Sequence, residues 1–65
     1  MVQINGETRE NYENLTVEEM VDREGLQKSR VAVEINGEIV SKQKYNDTVL
    51  HAGDVVEVVS FVGGG

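Results

Sequence analysis

Thr16-Val17-Glu18-Glu19-Met20-Val21-Asp22-Arg23-Glu24-Gly25-Leu26 carries a start signal, an apolar stripe and a stop signal for one short helix. Thr16 and Glu19 make a capping box, in which the hydroxyl takes the Glu19 N–H and the carboxylate reaches back to the Thr16 N–H. Leu15 before the cap and Met20 four after it form a hydrophobic staple. Val17, Met20 and Val21 share one helical face, while Glu18, Asp22 and Arg23 face away. Glu18 and Glu19 also suit the positive end of the helix dipole. Gly25 is placed for a left-handed stop, with Leu26 folding back on Val21. About two turns result, too few to persist alone in water. The helix must therefore lie on a sheet.

The flanking sequence supplies that sheet. Upstream, Val2 and Ile4 alternate with Gln3 and Asn5, and Asn5-Gly6 is a strong hairpin signal. The polar return, roughly residues 8–12, reads as an edge strand. Downstream, Val31, Val33 and Ile35 alternate with Ala32, Glu34 and Asn36, and Asn36-Gly37 signals a second hairpin returning through Ile39 and Val40. Residues 41–47 are polar and irregular, with Tyr45 available to anchor them on the core. Ala52-Gly53-Asp54 is a turn, and residues 55–62 are the longest β-branched run. One helix on one face of a mixed sheet of four to five strands is an α+β arrangement. Residues 1–62 are expected to form the domain and Gly63-Gly64-Gly65 a flexible tail.

Composition narrows the function. Sixty-five residues allow one small domain, with little interior in which to exclude solvent from an active site. No Cys is present, so disulfides, thiolate metal sites and cysteine nucleophiles are excluded together. Twelve acids against six bases give a net charge of −6, which repels nucleic-acid phosphates and is compatible with a basic protein partner. No apolar run is long enough to span a bilayer, and cytoplasmic residence is expected. His51, the single histidine, has no ligand-like companions and reads as a solvated loop residue. The acids of residues 18–24 read as helix solvation and dipole complements. No nucleophile–base pair or metal site emerges, so an enzyme in its own right is not expected.

Two features remain. The final strand splits by parity into Val56, Val58, Ser60, Val62 and Val55, Glu57, Val59, Phe61. A charged Glu57 does not point into so small a core without a partner. Its face is then the outer one, leaving Val59 and Phe61 exposed beside the tail. Such a cluster suits partner docking, although single surface hydrophobes are also ordinary. The tail has a bland reading as a frayed end and a chemical one. An α-carboxylate, with a pKa of about 3.3–3.7, is ionised at neutral pH and is a poor electrophile. Conversion to an acyl-adenylate makes its carbonyl attackable, and glycines let an extended arm enter a narrow channel.

Asn5-Gly6, Thr16-Val17-Glu18-Glu19-Met20, the run from Val31 to Val40, Gly53-Asp54-Val55-Val56-Glu57-Val58 and the ending Phe61-Val62-Gly63-Gly64-Gly65 together resemble the ThiS family over essentially the whole chain. These are thiamine-biosynthesis sulfur carriers with a ubiquitin-like β-grasp fold. Ser41 stands where the family commonly has Pro, and Gly63 adds a third glycine before the usual pair. The resemblance implies that an E1-like adenylyltransferase uses ATP to join AMP to the Gly65 carboxylate. A persulfide-bearing sulfur donor then converts it to a thiocarboxylate, and thiazole synthase takes the sulfur. Gly65 is then the covalent carrier site, Gly63 and Gly64 the flexible arm, and Val59 and Phe61 the docking residues. The chain itself needs no bound cofactor or metal and is expected to be a monomer when free. Alternatives are a sulfur carrier for molybdopterin or another metabolite, and a non-covalent β-grasp binding module.

Overall fold

The computed structural model describes residues 1–61, and the glycines of the expected tail, with Val62, lie outside them. The elements run β1 (Val2–Ile4), β2 (Glu7–Arg9), α1 (Val17–Arg23), β3 (Val31–Ile35), β4 (Glu38–Val40) and β5 (Val55–Ser60). Two 3-10 turns, Lys28–Arg30 and Lys42–Lys44, precede β3 and follow β4. All five strands form one sheet in the order β2-β1-β5-β3-β4. The last strand is thus the central one, parallel to β1 and antiparallel to β3. β2 is shorter and earlier than its sequence suggests, ending at Arg9. Beyond it, Asn11 takes φ of 66° and leaves the extended region, while Tyr12 is buried.

Local chemistry explains the elements. Both Asn-Gly turns have positive φ at each central residue, 51° and 85° in the first, 52° and 87° in the second. That backbone matches the right-handed twist of the strands it joins. The capping box at Thr16 is complete, with Glu19 N–H donating to Oγ1 at 3.1 Å and Thr16 N–H to Glu19 Oε1 at 2.8 Å. The other exposed donors of the first helical turn are met from the 44–50 loop: Val17 N–H donates to Thr48 O and Glu18 N–H to Tyr45 O. At the other end Gly25, at φ 75°, sits where a Cβ is disfavoured. Leu26 N–H then reaches Val21 O at 3.0 Å and Gly25 N–H reaches Asp22 O at 3.0 Å, the paired bonds of a Schellman stop.

The core lies between one sheet face and α1. Val2, Ile4, Val31, Val33, Val56 and Val58 supply the sheet side, and Val17, Met20 and Val21 the helix side. Tyr12, Tyr45 and Leu50 fill the margins, with Leu15 packed against them. Tyr45 is fully buried and anchors the irregular segment, as its sequence context suggests. No helix of the described residues is long and apolar enough to cross a membrane.

Candidate functional site

The parity of β5 decides which of its side chains meet solvent. Val56 and Val58 are buried, whereas Val55, Glu57 and Val59 are exposed. Val59 and Phe61, the two docking candidates, are 59% and 52% exposed. Val62, expected on the buried parity, falls outside the described residues. Register fills in the rest of this outer face: Ala32 lies opposite Val59, Glu34 opposite Glu57, and Ile39 opposite Glu34. Val55, Val59, Ala32 and Ile39 therefore surround two facing carboxylates. Like charges directly opposite on neighbouring strands cost stability, so this surface is not optimised for the free domain alone.

β5 reaches this position through contacts that sequence reading did not foresee. Asn5 N–H donates to Val56 O at 2.9 Å, continuing the β1 ladder. The Asn5 side chain then takes over where β1 turns away. Its Oδ1 accepts from Val58 N–H at 2.8 Å and its Nδ2 donates to Val58 O at 3.1 Å. Asn36 acts similarly from the other hairpin, with Oδ1 accepting from Val55 N–H at 2.9 Å and its own N–H donating to Val55 O at 2.8 Å. Each turn asparagine thus both satisfies a left-handed backbone and grips the central strand. The pairing of Asn with Gly signals the turn, but not the second role, because the partner is distant in sequence.

At its end β5 meets the two 3-10 turns. Phe61 N–H donates to Arg30 O at 2.7 Å. Lys42 Nζ donates to Val31 O at 2.7 Å and lies 6.0 Å from the centre of the Phe61 ring. Gly63, Gly64 and Gly65, the expected arm and carrier site, lie outside the described residues.

Other candidates reduce to structure. A shallow groove of about 530 Å³ beneath β4 is lined by Ile35, Val40, Lys44, Thr48 and His51 among others. His51 is highly exposed, and Asp54 Oδ2 accepts its backbone N–H at 2.8 Å while Oδ1 accepts from Asn36 Nδ2. Asp54 is thereby committed to the turn. Among the described residues no three His, Asp or Glu side chains are grouped to hold a metal ion. Glu24 corrects its reading as a solvated helix acid. Arg9 Nε donates to its Oε2 at 3.0 Å and the Tyr12 hydroxyl to the same oxygen at 2.6 Å. The Arg9 guanidinium, and then the Tyr12 hydroxyl, hold its carboxyl below the usual range against a partly opposing effect of burial.

A helix crossing one face of a five-stranded mixed sheet, with parallel terminal strands at the centre, is the ubiquitin-like β-grasp. The family model described as the ThiS family matches residues 2–65. The chain belongs to the ThiS family. It is 36% identical over 66 residues to the sulfur carrier protein ThiS of Bacillus subtilis, covering the full length of both. It is 44% identical over 62 residues to a thiazole synthase of Paramagnetospirillum magneticum, where the match takes in 95% of this chain and 19% of that protein. The chain therefore spans about a fifth of that relative. The crystal structure of the thiamine biosynthesis protein ThiS from Geobacter metallireducens matches with a TM-score of 0.79 and 34% identity, covering 98% of this chain and 97% of that one.

Proposed function

We propose that this chain is the sulfur carrier of thiazole formation in thiamine biosynthesis, with the α-carboxylate of Gly65 as the atom group that carries the sulfur. The supporting observation is a family match that runs from the first strand through Gly65, together with full-length similarity to a sulfur carrier protein. In this scheme a carboxylate oxygen attacks the α-phosphate of ATP in an E1-like adenylyltransferase, and pyrophosphate leaves. The terminal sulfur of a persulfide then attacks the activated carbonyl and AMP leaves. A thiol cleaves the resulting acyl disulfide, freeing the Gly65 thiocarboxylate for thiazole synthase. The presence of a similar unit within a chain named thiazole synthase supports that last partner. The chain supplies the carbonyl and its address, and no catalytic side chain.

Within this scheme residues 1–62 are the domain, Gly63 and Gly64 are the arm, and Val59 and Phe61 dock the partner. The free protein acts as a cytoplasmic monomer that holds no cofactor. Incubation with ATP, the adenylyltransferase and a persulfide donor is expected to add about 16 Da, sulfur for oxygen, to the intact mass. A variant with one residue appended after Gly65 is expected to gain nothing while folding normally. An unchanged wild-type mass with a demonstrably active enzyme rejects the carrier role.

A further inference from the structure

The protein is acidic, yet two basic residues, Arg30 and Lys42, border the end of β5. Six bases stand against twelve acids. Arg9 pairs with Glu24 and Lys28 with Glu18. Arg23 lies over the Tyr12 ring and donates to Asn11 O. Like Arg23, the remaining three, Arg30, Lys42 and Lys44, make no ion pair with a carboxylate among the described residues. Two of these are at the point where the chain leaves the sheet. Arg30 receives the Phe61 N–H on its carbonyl, and Lys42 lies against the Phe61 ring and the Val31 carbonyl.

Two distances give this patch a meaning. From Glu57 to Phe61 the chain advances four residues, about 13 Å at the rise of a strand. The Debye length at physiological salt is about 8 Å, so the facing Glu34 and Glu57 do not cancel the field at Phe61. From Phe61 to Gly65 is four residues, which reach at most about 14 Å. Any protein that holds Gly65 therefore brings its own surface close to Arg30 and Lys42.

We propose that Arg30 and Lys42 form a cationic collar that docks on a carboxylate-rich rim around the tail-binding channel of the activating enzyme. This rests on the carrier reading above and adds the chemistry of its first interface. The collar guides the encounter and sets its salt dependence, as charges at the edge of an interface do. It also orients an otherwise acidic molecule tail first. The overall negative charge taken alone points to a basic partner, and the collar reverses that expectation for the surface around the tail.

Steady-state adenylation with the carrier as varied substrate tests the proposal, using full-length protein and the adenylyltransferase. Arg30→Glu is the main variant, because the Arg30 side chain makes no hydrogen bond or ion pair among the described residues. Lys42→Met keeps the stem against Phe61 and removes the charge together with the bond to Val31 O. Each is expected to raise KM for the carrier, Arg30→Glu by about tenfold at low salt, with kcat unchanged. The difference from wild type is expected to vanish near about 0.5 M salt, where screening is nearly complete. Lys44→Glu makes the same charge change as Arg30→Glu but lies in the groove beneath β4 and is expected to leave KM near wild type.

Unchanged KM for Arg30→Glu overturns the collar, as does an equal effect of Lys44→Glu, which would mark net charge alone. A rise confined to KM for ATP would assign the cations to nucleotide phosphates, and a defect confined to transfer onto thiazole synthase would assign them to that partner. Either result overturns the proposal. Failure of the wild-type protein to be adenylated rejects the carrier reading itself and is separable from these outcomes.

Discussion

At the scale of single residues, the asparagines carry more than their turns. Among the described residues, all four non-glycine residues with positive φ are asparagine: Asn5, Asn11, Asn14 and Asn36. Their short amide side chains tolerate the left-handed region at low cost. Asn5 goes further, because its amide reproduces the donor and acceptor of a missing strand residue opposite Val58. Asn5→Gly separates the two roles, since glycine accepts the same φ and removes only the amide. Loss of its two bonds is expected to lower stability by about 1–3 kcal/mol in urea unfolding. Stability within a few tenths of a kcal/mol of wild type would show that water replaces the amide at no cost. The residue pair Asn-Gly was legible as a turn, and the grip on β5 was not, because it joins positions 53 residues apart.

At the scale of elements, α1 is a seven-residue helix held by its ends. The Thr16 box and the Schellman stop at Gly25 were both legible, as each depends on residues within a few positions of one another. The closure of the first turn by Thr48 O and Tyr45 O was not, since any residue can offer a carbonyl and only the fold brings these two there. Glu24 extends the C-terminal end of the helix outward to β2 by binding Arg9, and to the following segment by binding Tyr12. Its folded pKa is depressed relative to the unfolded chain. The resulting stabilisation is present above the unfolded value and disappears as pH falls through the folded one. Glu24→Gln is therefore expected to cost about 1–2 kcal/mol at pH 7. The loss of stability between pH 7 and pH 3, read by urea unfolding, is expected to be smaller in Glu24→Gln than in wild type. An unchanged pH dependence would place the acid sensitivity elsewhere, with Glu13, also depressed, the next group to change.

At the scale of the molecule, the central position of β5 couples fold to function. The strand that completes the core is also the one that precedes Gly65, the proposed carrier residue. Its inner face, Val56 and Val58, is committed to packing, while Val59 and Phe61, the proposed docking residues, stand on the outside. Phe61→Asp is expected to leave the unfolding midpoint near wild type, because Phe61 is about half exposed. The same variant is expected to weaken binding to the adenylyltransferase by about tenfold or more in calorimetry, as loss of an exposed apolar anchor does. Equal affinity would remove Phe61 from the interface.

By itself the sequence determined what depends on short-range pattern: one capped helix, two Asn-Gly hairpins, the alternating β3, and the inward and outward parity of β5. Each follows from backbone sterics, hydrogen bonding or hydrophobic period among residues close in the chain. Only the tertiary structure decided what depends on which distant residues meet. It put the last strand between β1 and β3, turned Glu24 into a tie among Arg9, Tyr12 and the helix, and gathered Arg30 and Lys42 around Phe61. Local pattern encodes the side a residue faces but not its neighbour there, because strand order and long-range contacts emerge when the whole apolar face is buried at once.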